Sequence, residues 1–590
     1  MKIWFPKLGF LKQEQGDILN RRIRYTKLIF FIGFFIIFWR LFQLQIISYS
    51  KYEKVDRKTK YVNVKVQGER GLIKDRNGKI LTSNLESFSI YFDTWMINNL
   101  KEKNPSYLNY LKDKLSEILK IEKNHIDKLI NEPYALIKKD IPFQEYEKIK
   151  QEKIKGIHIE KKLKRIYPYG KHACHIIGFT DVDGNGKEGI EYFYDAILKG
   201  KDGLYLVLKD GLGNLILSVK KVLIKEKRGT DITLTIDSNI QFIVEEEIKN
   251  AFSKFNPKNI SVIVMDPDNG EILALANYPD YDINNPGSFE FEIIRNKCVT
   301  DLFEPGSVFK IVTAAAAIEE NLFNPNSPIM CEYGKWFVRN HYLHDVHPYG
   351  LLTFKDVVVK SSNIGTVKIA MSLGEEKLYE YCKRFKFGEK TGIDLPGETS
   401  GIFRPIEKWS SYSITAIPIG QEVGITSVQG IRAISVFANG GYLVKPHLIK
   451  EIKDSEIENY KNEKIQILSS QTVNLVKEML EQVVSEEGTA HAAEIKGYHI
   501  YGKTGTAQKA IGGTYIKGKY VSSFVGFLLS KKKNIAISVN VDEPQGVYYG
   551  GLVAAPIFRN ILARIINYYE IPPEKNLKIV FKKNEIKRID

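Results

Sequence analysis

The chain has 590 residues, of which 43% are hydrophobic and 26% are charged, and its formal net charge at pH 7 is +16. This length predicts two to four structural units, and the composition excludes wholesale disorder. The lysines are spread along the chain without a zinc-finger, RNP-type or basic-helix motif, so the charge does not indicate nucleic-acid binding. No CxxC pair, and hence no zinc ribbon or thioredoxin-like motif, is formed by Cys174, Cys298, Cys331 and Cys382.

The first predicted element is a transmembrane helix at residues 28–47, LIFFIGFFIIFWRLFQLQII. At about 1.5 Å per residue, it is long enough to cross the hydrocarbon core of a bilayer. A cleaved signal peptide is the alternative, but no small-x-small cleavage site follows the long apolar run. Arg40 would reach the outer headgroups or face a partner helix. Lysines and arginines flank both ends, so they barely discriminate between the two orientations.

Several elements are predicted between the anchor and residue 231. Residues 61–66 (YVNVKV) alternate like a strand, and Asn77-Gly78 indicates a tight turn. Residues 100–165 have helical periodicity and are rich in Lys and Glu. The glycine-rich segment 181–189 is predicted to be a loop, with a calcium site as a minor alternative. Residues 221–231 are predicted to be a linker.

The region after residue 231 has strands at both ends and helices between them. This order predicts an antiparallel sheet packed on helices. The predicted helices are 241–252, one beginning at Ser307, and 556–569; the predicted strands are 232–236, 260–265, 271–276, 498–508, 523–529 and 534–541.

A candidate nucleophile lies in the segment EPGSVFK, where Ser307 precedes an apolar helical run. A serine hydroxyl needs a base to take its proton, and Lys310, three residues later on the same helical face, can reach it. A lysine in an apolar site has a lowered pKa and can act as that base. The backbone N–H groups at the start of the helix can hold an oxyanion.

Two further elements follow this one in the chain. The first is Ser361-Ser362-Asn363, and the second is Lys503-Thr504-Gly505-Thr506 on a strand-like stretch. SxxK alone is a weak signal, but SxxK, SxN and KTG in this order form the signature of penicillin-recognising serine transferases.

With these motifs the chain resembles the class B penicillin-binding proteins, the monofunctional peptidoglycan transpeptidases, from the anchor to about residue 570. Further segments similar to family landmarks are 70–78 (RGLIKDRNG), 167–170 (YPYG), 189–191 (GIE), 438–441 (ANGG), 524–527 (FVGF) and 554–558 (AAPIF). The resemblance implies an α+β fold: one transmembrane helix, an elongated pedestal, and a β-lactamase-like transpeptidase domain. It also implies boundaries of 1–27 for a cytoplasmic tail, 28–47 for the anchor, 48–220 for the pedestal of the dimerisation type, 221–231 for the linker, 232–570 for the transpeptidase domain and 571–590 for a C-terminal tail.

The same resemblance implies a role for each motif residue. Ser307 attacks the donor stem peptide at the penultimate D-Ala carbonyl, with Lys310 as base. Ser361 and Lys503 relay the proton to the departing D-Ala, and Asn363 bonds the substrate backbone. Thr504 and Thr506 bind the terminal carboxylate, and Gly505 lets the substrate backbone approach the strand. The oxyanion hole is formed by the N–H groups of Ser307 and Thr506. No metal or organic cofactor is implied.

The resemblance places the catalytic region outside the cytoplasmic membrane, where peptidoglycan is cross-linked. Peptidoglycan stem peptides, β-lactams and a multi-pass membrane glycosyltransferase are the implied partners, with no nucleic acid. The septal, FtsI-type group is favoured by Arg295-Asn296 and by residues 300–306 (TDLFEPG), with elongation as the alternative.

Other readings of the same residues are less favoured. Class A β-lactamases share the three motifs but are far shorter and lack an anchor. A non-enzymatic β-lactam sensor or division scaffold is disfavoured by the intact motifs. Two clusters could also bind a metal ion, although this is the minor alternative for each. The first, His341, His344 and His347, is predicted to lie in a loop, and the second, His172, Cys174 and His175, is predicted to have a packing role.

Overall fold

The computed structural model describes residues 10–53, 61–130, 132, 135–209, 215–453, 464–511 and 514–575. Most of the predicted tail 571–590, and the first nine residues of the predicted tail 1–27, lie outside this range. The chain divides into two compact units, one of residues 1–68 and 201–227 and the other of residues 69–200 and 228–590.

The first unit contains the anchor helix and a three-stranded sheet. The helix spans Phe10–Phe42 and continues as one π-helical turn, Gln43–Ile47. Its segment Leu19–Ile47 is the only one among the described residues that is long and apolar enough to cross a membrane, and none of it is buried. This segment includes the predicted span 28–47, and a single N-terminal helix of this kind suggests a single-pass membrane anchor.

The sheet of this unit is antiparallel, with Gly203–Lys209 as its central strand. The strand Tyr61–Val66 has the predicted bounds, so that prediction is confirmed. The third strand, Leu215–Ile224, includes the first four residues of the predicted linker 221–231. The linker prediction is wrong for these four residues, because they belong to a strand that pairs with residues 204–206. The predicted pedestal 48–220 is divided between the two units: residues 48–68 and 201–220 belong to the first, and residues 69–200 belong to the second.

Residues 83–166 of the second unit form a sheet covered by helices. Its strand order is Leu136–Ile141, Ser83–Phe92, Ile157–Ile166, and its helices are Thr94–Lys103, Tyr107–Leu119, Lys123–Leu129 and Phe143–Gln151. The helical prediction for 100–165 is wrong at the two strands. In Ile157–Ile166, apolar and polar side chains alternate only over the first four residues, where Ile157 and Ile159 pack on the buried core.

A five-stranded antiparallel sheet lies at the centre of the catalytic region. Its strand order is Ile272–Tyr278, Asn259–Met265, Ile535–Asp542, Thr514–Leu528, Ile500–Ile511. The side chains of each strand alternate between two apolar cores. Val262 and Val264 pack with the helices Ser238–Phe255 and Gly550–Tyr568, whereas Ile263 and Met265 pack with Ser427–Ala438. The predicted antiparallel sheet on helices is confirmed.

The last helix begins six residues before the predicted start at Pro556. Pro556 lies inside the helix, where it donates no backbone hydrogen bond. Val553 and Ala554 are fully buried, and their packing continues the helix to Gly550. The short strand Ile232–Leu234 pairs with Ile73–Lys74 and with Ile449–Ile452.

Most of the remaining helices and strands come, in chain order, between the sheet strands Ile272–Tyr278 and Ile500–Ile511. The helices in this part include Lys310–Glu319, Phe354–Val359, Asn363–Leu373, Glu375–Arg384 and Ser470–Val484. The short strands are Pro328–Met330 with Leu351–Thr353, Lys335–Val338 with His341–His344, and Tyr442–Leu443 with Ile465–Gln466. Short helices of four to five residues are Cys174–Ile177, Gly189–Phe193, Asp195–Leu198, Phe291–Ile294, Lys297–Thr300 and Ser413–Ala416.

Candidate active site

Ser307 lies on a single 3-10 turn, Gly306–Val308, which leads into the buried helix Lys310–Glu319. The N–H of Gly306 donates to the carbonyl of Gly420 at 3.1 Å. Gly306 has φ +53°, and a Cβ on Gly420 would lie 2.1 Å from the Gly306 carbonyl oxygen. This close backbone contact fixes the turn that carries the serine.

Lys310 is 1% exposed, and its Nζ contacts the second motif. Nζ lies 2.6 Å from the carbonyl oxygen of Ser361, 3.2 Å from Ser361 Oγ and 2.7 Å from Asn363 Oδ1. Burial lowers the pKa of Lys310 well below its usual 10.5, and the nearby Lys503 lowers it further, whereas Asp345 opposes the shift. The structure thus joins the first and second motifs through this amine, and gives Ser307 Oγ no hydrogen bond to another described residue.

Ser361 has a left-handed backbone, with φ +59°. For a residue other than glycine such a conformation costs about 1–3 kcal/mol and persists only where the surroundings impose it. Here its carbonyl oxygen accepts the shortest hydrogen bond from Lys310. The next residue, Ser362, caps the helix Asn363–Leu373 by accepting from the N–H of Gly365 at 2.9 Å.

Asp345 holds the second motif in place. From the sequence, Asp345-x-His347 only resembled a segment often seen between the family's first two motifs, and no role was assigned to Asp345. Its carboxylate accepts from Ser362 Oγ at 2.6 Å, from the N–H of Ile364 at 3.0 Å and from the N–H of Asn363. A carboxylate at a helix N-terminus also interacts favourably with the helix dipole. Asn363 Nδ2 in turn donates to the carbonyl of His344 at 2.8 Å.

The third motif lies on Ile500–Ile511, the edge strand of the central sheet beside the nucleophile turn. Gly505 is required by that turn, because a Cβ there would lie 2.7 Å from the Pro305 carbonyl oxygen and 2.2 Å from Ser523 Oγ. The sequence assigned this glycine to substrate approach. In the structure its lack of a side chain admits the turn of Ser307, which does not conflict with that role. An edge strand has free backbone groups that can pair with an extended peptide.

Lys503 is fully buried, and its Nζ has no hydrogen-bond partner among the described residues. Burial lowers the pKa of Lys503 to about 7. The hydroxyls of Thr504 and Thr506 already contact protein atoms. Thr504 Oγ1 lies 3.1 Å from Thr489 Oγ1, and Thr506 Oγ1 accepts from the N–H of Gly550 at 3.0 Å, which leaves its O–H free to donate.

Glu304, three residues before Ser307, connects the nucleophile segment to two neighbours. It accepts from the N–H of Glu422 at 2.9 Å and from Tyr515 OH, which lies 3.0 Å from one carboxylate oxygen and 3.2 Å from the other. Burial raises the pKa of the Glu304 carboxyl above its usual value. These bonds fix the position of the segment that leads into Ser307.

The two clusters considered for metal binding have ordinary contacts. His172 Nδ1 lies 2.8 Å from Glu245 Oε2, and His175 Nε2 lies 2.8 Å from the carbonyl oxygen of Ile293. His341 and His344 belong to the strand His341–His344. Within the part of the chain that the structure describes, no three His, Cys, Asp or Glu side chains form a group able to hold a metal ion.

Two family models match the chain. Residues 260–563 match the penicillin binding protein transpeptidase domain, and residues 65–234 match the penicillin-binding protein dimerisation domain. The chain belongs to the class B penicillin-binding proteins. It is a serine penicillin-binding transpeptidase, and its family binds peptidoglycan stem peptides and β-lactams.

Relatives within this family match nearly the whole chain. The chain is 33% identical to stage V sporulation protein D of Bacillus subtilis over 97% of its own length and 90% of the relative. It is 31% identical to the peptidoglycan D,D-transpeptidase FtsI of Buchnera aphidicola over 95% of its own length and 98% of the relative. The crystal structure of penicillin-binding protein 3 of Mycobacterium tuberculosis with ampicillin is 27% identical, with a TM-score of 0.68, and covers 87% of this chain and 98% of that one.

Proposed function

We propose that this class B penicillin-binding protein forms an acyl-enzyme at Ser307 with the D-Ala-D-Ala end of a donor stem peptide and transfers the acyl group to an acceptor amine. The observation that carries this proposal is the position of Lys310. A buried amine with a lowered pKa contacts Ser361 and Asn363, one helical turn from a serine whose own hydroxyl is free. The lowered pKa favours the neutral amine, which can accept a proton.

These contacts support the following first half of the reaction. Ser307 Oγ attacks the penultimate D-Ala carbonyl, and its proton passes to the neutral Nζ of Lys310. The backbone N–H groups of Ser307 and Thr506 stabilise the oxyanion. That proton then passes from Lys310 through Ser361 and Lys503 to the nitrogen of the departing D-Ala, so that the C–N bond breaks, Lys310 is neutral again and the serine ester remains.

The other motif residues hold the substrate. Asn363 hydrogen-bonds the donor peptide backbone, while the free O–H of Thr506, together with Thr504, binds the terminal carboxylate. The edge strand Ile500–Ile511 pairs with the extended peptide next to Gly505. In the second half, the acceptor amine attacks the ester carbonyl, gives up one proton and restores the Ser307 hydroxyl.

A covalent adduct is the direct test. After treatment of the full-length protein with penicillin, mass spectrometry should find the acyl group on the peptide that contains Ser307. Ser307→Ala should abolish the adduct, whereas Ser288→Ala, at an exposed serine outside the site, should keep it. An adduct that persists in Ser307→Ala would overturn the assignment.

We also propose that residues after about 48 face outwards and that the chain works beside a membrane glycosyltransferase. The domain limits are those expected from the sequence, with the linker shortened to residues 225–231. Support comes from the single apolar helix and from the catalytic chemistry, since peptidoglycan is cross-linked outside the membrane. Arg40 Nη1 donates to Gln43 Oε1 at 2.8 Å, and a polar pair within an apolar helix suits a protein contact.

Exchange of residues 28–47 for an unrelated membrane span tests the partner. The exchanged protein should still be acylated by penicillin, while its co-purification with the membrane glycosyltransferase should weaken. Wild-type co-purification and growth with the exchanged span would leave the anchor as a tether only.

A septal role is proposed over elongation because of residues 295–296 and 300–306 and because FtsI is among the relatives. Depletion should then give filaments with unfinished septa. Round cells would indicate elongation, and normal growth with a defect only in spores would indicate the role in the name of the Bacillus subtilis relative.

A further inference from the structure

A short antiparallel hairpin beside the active site has two unlike faces. It consists of the strands Lys335–Val338 and His341–His344. Successive side chains in a strand point to opposite faces, so the cross-strand pairs divide into two sets. One set is buried against Ile364, Val367 and Ile419, and it contains Val338 and Leu343. The other set, the hairpin face, is exposed and consists of Lys335, Phe337, Tyr342 and His344.

The hairpin face carries two exposed aromatic rings next to a cation. Phe337 is 59% exposed and Tyr342 is 56% exposed, and their ring centroids lie 5.1 Å apart. Lys335 Nζ lies 4.3 Å from the Tyr342 ring centroid. Exposed neighbouring rings indicate a binding surface, because water solvates their apolar faces poorly. The cation adds an attraction for a negatively charged ligand.

The face is continuous with the catalytic cleft. The carbonyl oxygen of His344, at one end of the hairpin face, accepts from Asn363 Nδ2 at 2.8 Å. The following residue, Asp345, holds Ser362 and the start of the helix Asn363–Leu373. A ligand that lies along the second motif and continues towards the hairpin therefore reaches Tyr342 and Phe337.

More positive charge lies close to the hairpin. Lys368 Nζ is 5.0 Å from the Trp336 ring centroid, on the other face of the hairpin, and pairs with Glu332. Lys360 Nζ is 5.8 Å from the ring centroid of Tyr349, which lies outside the hairpin. Stem peptides carry free carboxylates, and each stem is attached to a sugar strand whose pyranose rings have apolar faces. The combination of two rings and Lys335 on the hairpin face is complementary to both parts of such a polymer.

We propose that the hairpin face binds the sugar strand of the substrate, with pyranose rings stacked on Phe337 and Tyr342 and a stem carboxylate paired with Lys335. This proposal rests on the proposed transpeptidase function and adds to it a subsite for the polymer that carries the stem peptide. Two rings on a ten-residue hairpin offer far less area than the roughly 1,200–2,000 Å² of a stable protein interface, which favours an oligosaccharide over a protein partner.

Binding to two matched ligands tests the proposal. The ligands are uncross-linked glycan strands with pentapeptide stems, and the same pentapeptide without sugar. The full-length chain carries Ser307→Ala, so that no reaction follows binding. The double substitution Phe337→Ala/Tyr342→Ala should weaken strand binding about tenfold, the scale of two lost ring contacts, and weaken peptide binding much less. Phe291→Ala, at an equally exposed phenylalanine outside the hairpin, is the matched control.

Lys335→Gln gives a second, electrostatic readout. Binding of the strands should weaken about threefold at low salt, and this difference from the parent should shrink as salt is added, since salt screens exposed charges. All variants are first compared by thermal unfolding. If the double variant is unfolded, Tyr342→Ser alone replaces it, with an expected loss of strand binding of about threefold.

The outcomes separate this proposal from the proposed function. Unchanged strand binding in the double variant overturns the sugar subsite, as does an equal loss for strands and free peptide, which would place the effect in the cleft. Loss of a co-purifying protein with strand binding intact also overturns it, in favour of a protein interface. Failure of the proposed function would instead appear as a parent protein that penicillin does not acylate at Ser307.

Discussion

The carboxylate of Asp345 accepts a hydrogen bond from the hydroxyl of Ser362 at 2.6 Å. The same carboxylate caps the helix that begins at Asn363. Since Asn363 and Ser361 contact Lys310, the position of the base depends on a residue that itself lies outside the three motifs.

Asp345→Ala should therefore slow penicillin acylation about 10- to 100-fold, because small misplacements of catalytic groups are costly. Loss of the cap should lower the free energy of unfolding by about 1–2 kcal/mol. Acylation rates with a fluorescent penicillin and thermal unfolding are the measurements. Asp345→Asn keeps an oxygen acceptor for the backbone N–H groups and should restore much of the rate. If Asp345→Asn is acylated as slowly as Asp345→Ala, the negative charge of Asp345 matters more than its hydrogen bonds to the helix N-terminus.

Lys310→Ala should slow acylation by at least about 100-fold, the usual scale for a positioned base. The wild-type rate should rise with pH, since only the neutral amine accepts a proton. The midpoint of this rise should lie well below 10.5, because burial and Lys503 lower the pKa of Lys310. Stopped-flow acylation between pH 5 and pH 10 measures both effects.

The control for Lys310 is Lys377→Ala, at a lysine half-exposed on the surface. Its rate and pH profile should match those of the wild type. A Lys310→Ala protein with a near wild-type rate, or a wild-type rate independent of pH, would show that another group takes the proton from Ser307.

Much of the catalytic region could be predicted because its signals are local. The alternation of Tyr61–Val66 and the apolar runs at 260–265 and 535–541 identify strands from neighbouring residues alone. The three motifs predict a common cleft, and the structure brings Lys310 to Ser361 and Asn363.

The sequence did not reveal features that depend on distant contacts. The partners of Asp345 lie 17–19 residues away, and a single aspartate near a histidine gives no signal of its own. The close approach of Pro305 and Ser523 to Gly505 is likewise a contact between distant parts of the chain. The strand Ile157–Ile166 was missed because its lysines follow a long helical pattern, and only packing on a separate core selects the strand.

Lys503 should lower stability while it serves catalysis. Its buried Nζ has no partner among the described residues, and such a group costs about 1–3 kcal/mol. Lys503→Met keeps the shape and removes the amine, so it should raise the free energy of unfolding and abolish transpeptidation. The folded pKa of about 7 lies below the unfolded 10.5. The unfolded chain therefore binds more protons between these values, and wild-type stability rises with pH across this window.

The increase in the free energy of unfolding caused by Lys503→Met should accordingly be largest at and below about pH 7. It should shrink as the pH rises towards 10.5. Thermal unfolding of both proteins at pH 6, 8 and 10 measures it. A gain that is the same at all three values would mean that Lys503 finds a compensating partner in the folded protein.

Glu191 is fully buried between two arginines outside the catalytic site. Arg70 Nε lies 2.5 Å from one carboxylate oxygen, and Arg165 Nε lies 2.7 Å from the other. Glu191→Gln keeps the size of the side chain but leaves two guanidinium charges in a buried site without this carboxylate. Breaking a buried pair in this way costs about 3–5 kcal/mol, so the melting temperature should fall by several degrees.

The matched control for this change is Glu86→Gln, which removes the same charge from a pair with Lys161 on the surface, where both side chains are more than half exposed. Such a pair contributes about 0–1 kcal/mol, because water and salt screen it, so unfolding should hardly change. Calorimetry of the full-length protein in detergent compares the two variants. Equal melting temperatures for Glu191→Gln and Glu86→Gln would mean that Asp195, which accepts from Arg70 Nη1 at 2.6 Å, is enough to compensate the buried arginines.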